Sequence, residues 1–199
     1  MAAKRDEKRK DLKDRLIAAA TRRIEAAGLR GLNARDVTRD AGCALGSLYT
    51  VLRDLDDLVM HVNSATLHRI GEAVAEAKAG VDDPVDLLKV LARSYLAFVR
   101  ANYPLWIALF DYSAMTGVEI PDWHKQEQWV LIEHIAGPVR QLSPQLGDDE
   151  VAVRAKTLFA AVHGIISISV EDRFVGLPRE NLEEELMRFV DQMVAGLKA

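Results

Sequence analysis

The chain has 199 residues, 49% apolar and 28% charged, with a net charge of −4. This is the composition of a globular protein with a buried core, in one domain or in a small domain fused to a larger one. Cys43 is the only cysteine, which excludes an intrachain disulfide and a cysteine-based zinc cluster. No uninterrupted apolar run reaches the roughly 18 residues of a membrane span, and the charged N-terminus lacks the apolar core of a signal peptide. A cytoplasmic protein without membrane contact is expected.

Charge is unevenly placed. Residues 1–60 hold 13 Lys and Arg against 10 Asp and Glu, and the rest of the chain holds 13 against 20. A mildly basic head on an acidic body suits a molecule that offers one end to phosphate, although such runs also occur as plain solvated faces.

Helical periodicity runs through the chain, with no convincing period-2 strand. Met1 to Asp6 read as a disordered arm. A first helix is predicted over 8–27, its apolar stripe formed by Leu12, Leu16, Ala20, Ile24 and Ala27, with Gly28 as its stop. Asn33 caps a second, short helix that ends near Ala41, with Asp36 three residues on in a capping-box-like position. A third covers 45–52 and turns Leu45, Leu48 and Leu52 inward. Asp54 caps a fourth, with Asp57 as its acid and Leu58, Val62, Ala65, Ile70 and Val74 on the buried face. Asp83-Pro84 opens a fifth as cap and first residue, carrying Leu87, Leu91, Tyr95 and Phe98. Pro104 admits a short aromatic segment over 103–115, and a helix follows Pro121 over 122–142. Asp148-Asp149-Glu150 start a long apolar helix to about Asp172, favourably placed against its dipole. Gly176-Leu177-Pro178 precede the last, which carries Leu182, Leu186, Phe189, Val190, Met193 and Leu197. The total is about nine helices in an all-α fold, with a composition shift near residue 54.

Residues 33–58 are the most informative. Two short helices flank Ala41-Gly42-Cys43-Ala44, the spacing of a helix-turn-helix. Its second helix is short enough to enter a major groove about 12 Å wide while the first crosses the backbone. Gly42 supplies positive φ to the turn, and Gly46 lets the backbone approach phosphate closely. Ala41-Gly42, Gly46-Ser47-Leu48-Tyr49 and Asp56-Asp57-Leu58, with Gly28 spaced as it is from Asn33, resemble the signature of the tetracycline-repressor-like (TetR) family over residues 8–62. Ala44 stands where that family has a capping Ser or Thr, and Leu55 where it has a phosphate-binding lysine. No basic side chain lies between Leu45 and Leu52.

The resemblance implies a three-helix DNA-binding domain over 1–53 and a helical ligand-binding and dimerisation domain over 54–199. It implies that Asn33, Ser47 and Tyr49 meet phosphate or groove edges, although Tyr49 also reads as a core tyrosine with its hydroxyl at the rim. Thr50 offers its methyl to a thymine. Lys4, Lys8, Arg9, Lys10, Arg35 and Arg53 are the candidates for the missing positive charge.

Aromatic residues gather in the second domain. Tyr95, Phe98, Trp106, Phe110, Trp123 and Trp129 suit either an apolar pocket for a small-molecule effector or ordinary core. His163, in the apolar segment 159–167, needs a polar partner: the effector, a tyrosine or a carbonyl. The scattered histidines give no metal-site spacing, and no cofactor motif is present. The small residues Ala155, Ala160, Ala161, Gly164 and Ser167 allow close helix approach. With the amphipathic last helix they point to a homodimer through a four-helix bundle. The expected function is therefore a ligand-responsive repressor, released from a pseudo-palindromic double-stranded operator by a largely apolar effector. One alternative is a dimeric sensor or interaction protein without specific DNA binding. A thiol enzyme built on Cys43 is the other, but no nucleophile-elbow, phosphate-loop or metal-dyad motif accompanies it, so none is expected.

Overall fold

The computed structural model describes residues 2–117, 119–171 and 175–197. Among the described residues it contains nine α-helices, one short 3-10 turn at Leu29–Gly31 and no strand. The helices are α1 (Ala2–Ala27), α2 (Ala34–Asp40), α3 (Leu45–Leu48), α4 (Leu55–Ala77), α5 (Pro84–Ala101), α6 (Tyr103–Thr116), α7 (Asp122–Leu142), α8 (Asp148–Val170) and α9 (Leu182–Leu197). They form two compact units. One joins Met1–His68 to Asn102–Lys125, and the other joins Arg69–Ala101 to Gln126–Ala199.

In the first unit, the predicted stripe of α1 is buried at Leu16, Ala20 and Ile24, and Ala19 joins it. These residues pack with Val37, Leu48, Leu52, Leu58 and Val62, and with Leu105 and Ala108 of α6, in one core. Gly28, at φ 69°, ends α1 in a conformation that side chains resist. The predicted caps are in place. The Asn33 side chain accepts from the Asp36 amide at 2.9 Å, and Asp54 accepts from the Asp57 amide at 2.7 Å. Two expectations change. Ala2 to Asp6, expected as an arm without structure, are helical, because good helix formers continue α1 in register; Met1 lies outside the described residues. Leu45, expected inward, is 41% exposed while Leu48 and Leu52 are buried. It is the first residue of a four-residue helix, a turn removed from Leu48, and the chain tightens into three-residue turns after it.

In the second unit, Asp83 accepts from the amides of Val85 and Asp86 and starts α5 at Pro84 as predicted. One face of α5, with Leu88, Leu91, Tyr95, Leu96, Phe98 and Val99, is buried. It packs against α9, whose Leu182, Leu186, Val190 and Val194 face inward. Ion pairs Lys89–Asp191 (2.6 Å) and Arg93–Glu183 (3.0 Å) flank this contact. A further cluster joins Ala136 and Val139 of α7 to Val151, Ala155 and Leu158 of α8. The carboxylate of Glu150 accepts from the Gly147 amide at 3.1 Å, closing the first turn of α8. By length and composition α8 alone, among the described residues, could cross a membrane, with a mean hydropathy of 1.5; its charged residues all lie between Asp148 and Lys156.

Candidate functional site

The helix-turn-helix combines local polar contacts with ties to α1 above an apolar core. Gly42 sits at φ 68° between α2 and α3, as the turn requires. The amide of Cys43 donates to the Thr38 carbonyl at 2.9 Å, and that of Gly42 to the Arg39 carbonyl at 3.1 Å. From α1, Arg15 donates to the Ala41 carbonyl at 2.6 Å. Arg23 pairs with Asp36 (3.1 Å) and Asp40 (2.7 Å), so α2 is clamped to α1 at both ends. The Asn33 amide, with Arg23 and Arg39 adding to it, holds the Asp36 carboxyl below its usual range against a desolvation that acts the other way.

α3 begins at Ala44 without a side-chain cap, as the missing Ser or Thr implies. Its turn continues through hydrogen bonds from Thr50 to the Ser47 carbonyl and from Leu52 to the Leu48 carbonyl. The outer face of this segment is open. Tyr49 is 57% exposed, which places its ring on the surface rather than in the core. Thr50 is exposed, with its hydroxyl donating to the Ser47 carbonyl at 2.7 Å. Ser47 is half-buried, and a methyl built on Gly46 would meet nothing within 4 Å. Arg35, Lys10 and Arg53 are exposed. Arg53 is tied to α4, its guanidinium reaching Asp57 at 3.3 Å and its amide donating to the same carboxylate at 3.0 Å. Burial pushes the Asp57 pKa up, but these Arg53 bonds and the field of His61 outweigh it and leave the carboxyl below its usual range. All eight candidate DNA residues lie in the first unit.

The aromatic candidates fall into local groups. In the first unit Trp106, 1% exposed, is core, its ring tilted against those of Tyr103 (5.9 Å) and Phe110 (5.6 Å). Trp123 lies flat on His61 at 5.0 Å and meets the edge of His124. Tyr112 donates to Asp56, and burial followed by that carboxylate pushes its hydroxyl pKa well up. In the second unit Tyr95 meets His163, its hydroxyl 2.9 Å from Nδ1, with Phe159 beside both rings. Phe98 is buried on the same face of α5. Trp129 is 40% exposed and carries Lys156 5.1 Å above its ring. The sequence reading missed the pairings of His61 with Trp123 and of Lys78 with His134, whose members are distant in sequence. It named Phe159 only within the segment around His163. Among the described residues, no three His, Cys, Asp or Glu side chains are grouped to hold a metal ion.

The family described as tetracyclin repressor-like, C-terminal domain, matches residues 88–194. Among solved structures, a protein of unknown function from Rhodococcus sp. RHA1 aligns with a TM-score of 0.77 at 21% identity, over 94% of this chain and 96% of that one. A transcriptional regulator from the same organism gives 0.71 at 20%, over 94% and 98%. A TetR-family transcriptional regulator from Streptomyces coelicolor gives 0.71 at 17%, over 96% and 97%. No curated protein sequence matches.

Proposed function

Because this chain belongs to the tetracycline-repressor-like (TetR) family of regulators, we propose that it is a homodimeric repressor, released from its operator by a small-molecule effector. The observation that carries the DNA-binding half is the form of residues 33–53. One side of the helix-turn-helix is sealed into a core, and the other leaves Gly46, Tyr49 and Thr50 uncovered. In this reading residues 1–53 meet DNA. Gly46 brings backbone close to phosphate, and Ser47, Tyr49 and Thr50 face the groove. Asn33, Lys10, Arg35 and Arg53 set the register on the backbone. The basic run from Lys4 to Lys10, exposed on α1, supplies charge that α3 lacks.

The dimer reading is supported by α8. Only 22% of its apolar window is buried in the single chain, and Val153 and Ala160 are exposed. A second copy of α8 and α9 would cover that face in a four-helix bundle and set two recognition helices about 34–36 Å apart. Residues 54–199 would then form the sensing and pairing domain, with Tyr95, Phe98 and His163 as effector contacts. Binding DNA places the protein in the cytoplasm and needs no enzymatic step.

The test is fluorescence anisotropy against the DNA flanking the protein's own gene, over a salt series. Specific, nanomolar binding to one palindromic segment, falling steeply with salt, is expected. No affinity for any DNA at low salt would instead favour a sensor without DNA binding, for which the absence of a basic residue in α3 is the supporting observation.

A further inference from the structure

The second unit holds a cleft of about 460 Å³ that none of the predicted contacts except Trp129 lines. Leu87 and Leu91 of α5, with Trp129, Val130 and Pro138 of α7, make its apolar walls. Its volume falls within the range of small-molecule sites. Two of its walls are uncovered, Trp129 at 40% and Val130 at 62% exposure.

The polar lining is what gives the cleft a chemistry. Lys78, just beyond the end of α4, brings its ammonium to 3.1 Å from Nδ1 of His134. An ammonium has no lone pair, so Nδ1 accepts and the ring hydrogen sits on Nε2. Burial, and then the Lys78 charge, hold this imidazole below its usual pKa, with Glu133 pulling the other way. Lys78 therefore rests against a neutral group. Among the described residues no carboxylate lies within ion-pair distance of it; the one acid of the lining, Glu133, reaches Arg140 instead, at 3.4 Å. Lys156, over the Trp129 ring, adds a second cation at the rim.

We propose that this cleft binds a small apolar monocarboxylate, with its body against Trp129, Leu87 and Leu91 and its carboxylate on Lys78. Charge complementarity selects the occupant. A cation beside apolar walls, with no anion of its own, gains from a carboxylate what a neutral ligand of the same shape cannot give. The inference rests on the reading of the chain as effector-responsive and names the chemical class of the effector.

Calorimetry on the full chain tests it, with decanoate and 2-naphthoate as probes and decanol and 2-naphthamide as their neutral counterparts. Both acids should bind at least about tenfold more tightly than the neutral molecules, the size expected of one charge-assisted hydrogen bond. Lys78→Gln should remove that advantage and leave the neutral probes unchanged. Trp129→Ala should weaken all four. Equal binding of acids and neutral probes, or wild-type acid affinity in Lys78→Gln, overturns the proposal. So does a shift of tryptophan emission on protein dilution alone that is lost in Trp129→Phe, because a second copy of the chain would then be covering the cleft. Operator binding, measured in parallel, separates the two readings. Lys78-dependent acid binding that leaves operator affinity unchanged keeps the cleft and removes the effector-released repressor. Specific operator binding with no acid affinity does the reverse.

Discussion

The helix-turn-helix and the second unit differ in the reach of their polar contacts. Within the helix-turn-helix most bonds are local: Asn33 to the amide of Asp36, Asp54 to that of Asp57, Thr38 to the carbonyl of Ala34; those to α1, from Arg15 and Arg23, span 13 to 26 residues. In the second unit they join residues far apart in the chain. Tyr95 and His163 are 68 residues apart, Lys78 and His134 are 56, and Arg93 and Glu183 are 90. Short-range bonds favour one shape of the helix-turn-helix, which suits a surface that must match a groove. Contacts between distant helices can be exchanged for a ligand's atoms, and a ligand shifts a conformational balance only through such differential contacts.

If this contrast is right, the largest effect comes from the core under the helix-turn-helix. Leu48 is fully buried, and Leu48→Ala should cost about 2–5 kcal/mol and abolish operator binding. Denaturant unfolding with anisotropy on the same samples would check it. A loss of DNA affinity without a loss of stability would mean that the outer face, not the buried scaffold, had been altered.

A smaller effect separates two glycines four residues apart. Gly42→Ala places a side chain at φ 68° and should cost about 1–2 kcal/mol. Arg15, the nearest atom at 3.9 Å, adds no clash, so the loss is backbone strain. Gly46→Ala has open space and no positive φ, so it should stabilise α3 by up to about 1 kcal/mol. Yet it should weaken DNA binding, because a methyl then stands between backbone and phosphate. If Gly46→Ala leaves operator affinity unchanged, Gly46 does not approach the DNA backbone.

The same contrast explains what could be read from the sequence. The caps at Asn33, Asp54 and Asp83 and the positive φ of Gly42 each depend on a few neighbouring residues, and each was legible. Leu45 was misplaced because a heptad-like stripe assumes a helix long enough to keep its phase, and α3 has four residues. Aromatic content marked the second domain but could not sort its members. Trp106 fills core, Trp123 lies on His61, and Trp129 borders a cleft. The Lys78–His134 pair carries no local pattern at all, because only folding brings an α4 terminus to α7.

That pair also gives the smallest predicted effect, a pH dependence confined to the second unit. Burial and Lys78 depress the His134 pKa in the folded chain below the 6.5 of a free imidazole. Between the folded and unfolded values the unfolded chain binds more protons, so stability rises with pH across that window. His134 therefore contributes its full share above about pH 6.5, and that share is lost as the pH falls towards the folded value. His134→Gln should flatten the difference between urea midpoints at pH 7.5 and 5.5 relative to wild type. Lys78→Gln should flatten it in part, since desolvation remains. The other histidines are the same in both proteins, so the comparison isolates this ring. An unchanged slope in His134→Gln would mean that His134 holds its ordinary pKa and that Lys78 is not pressed against a neutral imidazole.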